Sequence, residues 1–200
     1  VSKEIPTHLP DHVPYDIVKW QSNHTKSFQK ELKVIYSSDF NLKILVMNIE
    51  AFSTKKGVEF ANKFLQLSKS IFIIDESTTI KNQDAKRTAN CVRLGKYAYY
   101  RRILTGSPVT KSPLDLYSQC MFLNPALLGF SSYYSFRARY ADMVEKSGQG
   151  RTFKFVTGYK NMDELNELLT KFSHRVLKKD CLDLPEKVYI KRTIEMTKDQ

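Results

Sequence analysis

Two short runs of uninterrupted apolar residues constrain this chain most. Lys43 to Ile49 reads KILVMNI, and Ile71 to Ile74 reads IFII. A strand with one face in water alternates apolar and polar side chains, whereas a strand covered on both faces does not. Both runs have strand length, so each is expected as a buried strand. Between them, Thr54 to Ser68 carries Val58, Phe60, Ala61, Phe64 and Leu65 near helical spacing. Downstream, Gln83 to Leu94 reads as a helix and Tyr99 to Leu104 as a strand. Pro113 to Phe122 reads as a helix with proline at its start. Upstream, Tyr15 to Trp20 has a short strand pattern, and His24 to Ile35 looks like a basic helix. Strands alternating with helices of this length predict a parallel α/β sheet. Ligands of such sheets bind beyond the carboxyl ends of the strands.

The pattern changes after about residue 130. SSYYSFRARYADM, from Ser131, reads as an aromatic and basic helix whose rings pack into a core. RTFKFVTGYK, from Arg151, alternates basic or polar residues with apolar ones, as in a strand pair or hairpin that packs on the core or, alternatively, faces DNA. Met162 to Phe172 is amphipathic, with Leu165, Leu168, Leu169 and Phe172 on one side. Lys187 to Thr193 is expected as a late strand. The expected organisation is a core over about 1–130, an extension over about 131–185, and a return strand with its trailing segment over 186–200.

With 200 residues and 42% hydrophobic content, the chain can bury one sizeable core. The formal charge of +11 favours a polyanionic partner, with nucleic acid first and an anionic membrane surface second. No apolar run approaches the roughly 18 to 20 residues of a membrane span, and no secretory signal opens the chain. Cys91, Cys120 and Cys181 are scattered, as in an intracellular protein with reduced thiols. His8, His12, His24 and His174 do not form a metal-ligand pattern, since Pro10 breaks the one helical spacing. The chain opens VSKEIPTH and ends EMTKDQ, so it is expected to be an internal piece of something longer.

The chemistry centres on Asp75 and Glu76, which end the IFII run. An aspartate in this place can hold magnesium through water, the metal bridging phosphates. An adjacent glutamate can orient or deprotonate an attacking water. Alone, the pair also fits two solvated acids at a strand end. A second element is RILTGSPV, Arg102 to Val109. Thr105 and Ser107 offer hydroxyls there, and Gly106 permits close backbone approach. Alone, it also fits an ordinary strand-to-helix turn. No G-x-x-x-x-G-K-[ST] phosphate loop occurs: Gly95 and Lys96 precede Tyr97, and Gly148-Gln149-Gly150 precedes Arg151.

The order of these elements is far more specific than any one of them. An apolar strand ending in D-E, then K-N, a helix, L-T-G-S-P, D-L-Y-S-Q and F-L-N-P resembles the superfamily-two helicases, and within them the Swi/Snf-type DNA-dependent ATPases. ILVMNIEAF resembles the strand motif before the acidic box, IIDES the Walker B box, and Lys81-Asn82 its tail. LTGSPV resembles the L-T-G-T-P motif, and Leu114 to Gln119, Phe122 to Pro125 and Phe136 to Tyr140 resemble the family's downstream patterns. Arg175, Lys178 and LDLPEK resemble the segment closing the first lobe, and MTKDQ the start of the linker to the second. The family has a small residue and then histidine or glutamine after D-E; here stand Ser77 and Thr78, and Ser107 replaces the commoner threonine.

The resemblance implies a RecA-like parallel-sheet lobe of the P-loop NTPase type, N-terminally incomplete, with a helical and hairpin extension. It implies ATP and Mg²⁺ as cofactors, and double-stranded DNA and a second RecA-like lobe as partners, with no membrane. Asp75 would hold Mg²⁺ through water and Glu76 would activate the attacking water. Thr78, Thr105, Gly106 and Ser107 would couple nucleotide state to movement. Thr54, Lys55, Lys56, Lys81 and Arg87 are the candidates for phosphate contacts that read no bases. The phosphate loop is expected before Val1 and the second lobe after Gln200. Without them the isolated chain is expected to be inactive, since loss of an arginine finger alone costs about 10³- to 10⁵-fold in rate. The alternatives are a non-catalytic nucleic-acid-binding module with a helicase-like fold and a helicase subunit of a restriction system.

Overall fold

In the computed structural model, residues 4–23, 25–37, 42–148, 151–181, 183 and 190–192 are described. The chain opens with a short helix α1 (Glu4–His8), then strand β1 (Tyr15–Lys19), helix α2 (Lys26–Ser37) and strand β2 (Leu42–Val46). Helix α3 (Lys55–Leu65), strand β3 (Ile71–Ile74), helix α4 (Lys86–Gly95) and strand β4 (Tyr100–Ile103) come next. Then come helix α5 (Leu116–Leu123), helix α6 (Tyr133–Tyr140), strands β5 (Ala141–Gly148) and β6 (Arg151–Tyr159), and helices α7 (Met162–Thr170) and α8 (Lys178–Cys181).

The strands and helices expected before residue 130 form, and both β1–β2 and β3–β4 pair in parallel. The expected single sheet is not observed among the described residues. The two parallel pairs are separate sheets. β2 and β3 instead both line a cleft of about 610 Å³, to whose walls Ala61, Phe64 and Leu65 of α3 also contribute. This changes the burial of both apolar runs. Every residue of β2 is only half-buried. In β3, Phe72 and Ile74 turn inward, while Ile71 and Ile73 are 52% and 51% exposed. A strand alternates its side chains between two faces, and among the described elements only one face of β3 is covered.

That covered face is built from aromatic contacts. Phe72 stacks on Phe52 at 5.6 Å and meets Phe122 of α5 edge-on at 5.0 Å. Ile74, Ile80, Cys91, Leu94 and Ala98 complete this core. α3 serves two cores. Val58, Ala61 and Leu65 face the first. Phe60 joins Val18, Phe28 and Ile35 under β1 and α2, with Trp20 at 5.0 Å from its ring.

A third cluster joins α5 to the later elements through Leu116, Tyr117, Cys120, Phe136, Tyr140 and Leu165. α6 is held by a reciprocal cap between Ser132 and Ser135. As expected, Phe136 and Tyr140 are core residues, but Tyr134 of the same helix is exposed. The RTFKFVTGYK segment is a single strand, β6, and not a hairpin by itself, and it is not packed on the core as expected, since Phe153, Phe155, Val156 and Tyr159 are exposed. Its antiparallel partner is β5, which begins at the ADM expected as helix. The backbone leaves the helix at Ala141, whose extended φ of −129° and ψ of 140° start the strand. Of the late strand expected at 187–193, residues 190–192 are described and are not in a strand. Most of LDLPEK and all of MTKDQ lie outside the described residues. None of the described helices is long and apolar enough to cross a membrane.

Candidate functional site

Because β3 and β4 run parallel in the register Ile74 to Ile103, their following loops emerge at the same end. One loop carries Asp75 and Glu76, the other Thr105, Gly106 and Ser107. The ladder continues one step past the strands: Leu104 N–H donates to Ile74 O at 2.9 Å, and Ser77 N–H donates to Leu104 O at 3.0 Å. The two loops therefore share backbone hydrogen bonds at their roots.

Glu76 lies in the left-handed region, with φ 49° and ψ 58°. A side chain at this φ crowds its own backbone, at a cost of about 1–2 kcal/mol per residue. The reversal turns the chain away two residues after β3 ends at Ile74 and starts a 3-10 turn at Ser77–Ile80. Asp75 Oδ1 accepts the Glu76 N–H at 3.0 Å, and the Thr79 hydroxyl donates to Glu76 O at 2.9 Å. Both acidic side chains are exposed, and neither is in an ion pair among the described residues.

The second loop shapes itself. Ser107 N–H donates to Thr105 Oγ1 at 3.2 Å, and the Ser107 hydroxyl donates to Val109 O at 2.9 Å. A Cβ added at Gly106 would meet nothing within 4 Å, and Gly106 is not in the left-handed region. The chain's own packing therefore does not demand glycine there.

Both loops are tied to α5. Ser77 is fully buried, and its hydroxyl donates to Gln119 Oε1 at 2.6 Å. Gln119 Nε2 donates to Pro108 O at 2.8 Å and to Asp115 O at 2.9 Å. Asp115 Oδ2 accepts from Thr110 N–H at 3.2 Å, from the Thr110 hydroxyl at 2.9 Å and from Lys111 N–H at 3.1 Å. Partial burial pushes the Asp115 carboxyl up, but these hydrogen bonds and the nearby Lys81 charge outweigh it and hold the group below its ordinary value.

The phosphate-contact candidates are placed differently from one another. Thr54 caps α3, accepting from Gly57 N–H at 3.1 Å and donating to Ala51 O at 2.8 Å. Lys55 and Lys56 are exposed, Lys55 lying 3.9 Å from Glu59. Lys81 is directed inward to the Thr110 hydroxyl and to Asp115 at 3.7 Å, so its charge is engaged within the chain. Arg87 is half-buried, and its Nε is buried without a hydrogen-bond partner among the described residues. Thr78 is half-buried; the side chain that crosses from the acidic turn to α5 is that of its neighbour Ser77.

Sequence reasoning placed Asp115 and Gln119 only within the D-L-Y-S-Q pattern and gave neither a role. The available signal was an amide inside the run LYSQCMF, where Leu116, Tyr117, Ser118, Cys120 and Phe122 are all buried. A polar group inside such a run has to find partners, because an unpaired buried amide is costly. Cys91 and Cys120, both buried, have thiols pushed up to about 12 by burial, which keeps them protonated and unreactive.

Comparison with known proteins gives several relatives. One is the "SWI/SNF-related matrix-associated actin-dependent regulator of chromatin subfamily A-like protein 1 homolog" of Caenorhabditis elegans, 31% identical over 146 residues, or 72% of this chain and 20% of that protein. The human "TATA-binding protein-associated factor 172" is 30% identical over 62% of this chain and 7% of its own length. The Saccharomyces cerevisiae "DNA repair and recombination protein RAD26" is 27% identical over 70% of this chain and 13% of its own length. The chain thus spans a fifth or less of these relatives. The description of the SNF2-related domain matches residues 2–200, and the chain belongs to that family.

Proposed function

We propose that this chain is part of the first RecA-like lobe of an ATP-dependent motor that moves on double-stranded DNA. The observation that carries the reading is the exposed Asp75 and Glu76 pair at the carboxyl end of β3, beside the Thr105-Gly106-Ser107 loop of the paired β4, in a member of the SNF2-related family. Relatives named for chromatin regulation and for DNA repair and recombination support DNA as the track, and the formal charge of +11 suits a phosphate backbone.

The donor set suits magnesium. Asp75 offers a hard, exposed carboxylate, and no group of three or more His, Cys, Asp or Glu gathers into a full protein cage among the described residues. Magnesium keeps several waters and takes one or two carboxylates together with substrate phosphates. Bound Mg²⁺ and ATP would supply a γ-phosphoryl group whose developing charge the metal offsets. Asp75 would hold the metal through its waters. The Glu76 carboxylate would accept the proton of the attacking water and align it. Thr105, Gly106, Ser107 and Thr78 would relay the state of the nucleotide to lobe movement. Lys55 and Lys56 stand beyond β2, where loops of this kind would grip phosphates; Thr54, whose N–H and hydroxyl both donate to Ala51 O, would hold the start of α3 beneath them, and Lys81 and Arg87 would support that surface from within.

The phosphate loop and a second lobe with its arginines would come from further sequence of the same protein, which would work inside the cell. The test is Glu76→Gln in that protein, with DNA-stimulated ATP hydrolysis as readout. Hydrolysis is expected to be lost while ATP binding persists. An unchanged rate overturns the reading of this site, whereas a parent protein that hydrolyses no ATP at all would leave a non-catalytic binding module of the same fold. The 200-residue chain alone is expected to show no turnover.

A further inference from the structure

Gln119 is a primary amide with no exposed surface, in a helix buried on nearly every side. Filling that space would need only a leucine. The amide instead makes three hydrogen bonds, and two of them leave its own helix. Oε1 accepts from Ser77, the residue after Glu76, and Nε2 donates to Pro108, the residue after Ser107. The third, to Asp115 O one turn earlier in the chain, fixes the amide plane. A planar amide offers its acceptor and its donors in a fixed relation. Its two outward bonds therefore set one loop against the other.

The geometry around Glu76 shows why this matters. The left-handed turn is anchored before and after: Ile74 is in the ladder, and Ser77 is held by its N–H to Leu104 O and by its hydroxyl to Gln119. A strained residue persists only where its surroundings over-determine it. The first turn at the same helix end repeats the arrangement, Asp115 holding Lys81 from one loop and Thr110 and Lys111 from the other.

We infer that Gln119 is a positioning residue that ties the Asp75 and Glu76 turn, through Ser77, to the Thr105-Gly106-Ser107 loop, through Pro108. It rests on the function proposed above and adds to it the residue that would keep the two loops in register during hydrolysis.

The experiment uses the full-length protein that carries this chain, with ATP and duplex DNA, and measures kcat, KM for ATP and thermal unfolding. Ser77→Ala and Gln119→Leu are each expected to lower kcat about tenfold or more, because small misplacement of catalytic groups is costly in rate. KM for ATP is expected to stay unchanged. The double variant is expected to fall no further than Gln119→Leu alone, since both changes remove one connection. Gln119→Glu supplies a pH readout that a packing role would not move. A carboxyl buried against two carbonyl oxygens has its pKa raised. Once protonated, it accepts from Ser77 and donates to Pro108, so its kcat deficit should shrink as pH is lowered from about 8 to about 6. Ser77→Ala keeps every Gln119 donor bond and tests the connection should Gln119→Leu fail to fold. Wild-type kcat in Ser77→Ala, additive losses in the double variant, or a deficit in Gln119→Glu that ignores pH would overturn the inference. Glu76→Gln, run alongside, separates the two ideas: its full activity defeats the functional reading, whereas its inactivity beside active Gln119 and Ser77 variants defeats this inference alone.

Discussion

Two glycine-to-alanine substitutions should move stability in opposite directions, and the structure supplies the sign of each. At Gly106 a new Cβ meets nothing within 4 Å, and the residue is outside the left-handed region. Alanine there narrows the unfolded ensemble without straining the folded one, a gain of about 0.4–1 kcal/mol. For a chain of this size that raises Tm by about 1–4 °C. At Gly57 the Cβ would lie 2.3 Å from Ala51 O and 2.8 Å from Ala51 C. Both are backbone atoms and cannot swing away. Alanine in a helix favours folding by about 1 kcal/mol, but forcing atoms into a packed contact costs about 1–3 kcal/mol. At so short a distance the upper end applies, leaving a net loss of up to about 2 kcal/mol. Urea unfolding of the expressed chain, followed by circular dichroism, measures both. A destabilised Gly106→Ala, or a Gly57→Ala no weaker than the parent, would refute this reasoning. Gly106→Ala has a second readout. If the loop is approached closely by nucleotide or by the second lobe, DNA-stimulated hydrolysis in the full-length protein falls about tenfold or more while stability rises. Unchanged hydrolysis would show that nothing approaches there.

Thr54→Ala should lose the cap of α3 and lower stability by about 0.5–2 kcal/mol, read as a shifted urea midpoint. Asp115 gives a pH dependence. Its folded carboxyl is held below the unfolded value, so its contribution is complete above about pH 5 and is lost as pH falls through about 4 and then through the folded value. Asp115→Asn should flatten the slope of unfolding free energy against pH between about 5 and 3, and an unaltered slope would show that the group carries no such linkage.

The elements were legible because local pattern encodes them. KILVMNI and IFII are too apolar to be loops, and the spacing of Val58, Ala61 and Leu65 leaves little besides a helix. The location of Asp75 and Glu76 came from the strand that precedes them. What local pattern does not carry is coverage. Ile71 and Ile73 look as buried as Phe72 and Ile74, but period two puts them on the face that no described element covers. The ADM segment is another case: it reads as the tail of a helix, and its pairing with β6 across the chain makes it a strand.

By itself the sequence determined the order of strands and helices through α6, the excess of positive charge and the family, since each depends on residue identity and spacing along the chain. Only the tertiary structure decided that Lys81 faces Asp115, that Thr54 is occupied as a cap, and that Ser77 reaches Gln119 across 42 positions of sequence. The physical reason is that a hydrogen bond depends on atoms meeting within about 3 Å. No spacing rule announces which buried polar groups will meet. The two departures at Ser77 and Thr78 take on unequal weight once folded, because the serine, not the threonine, is the residue turned into the core.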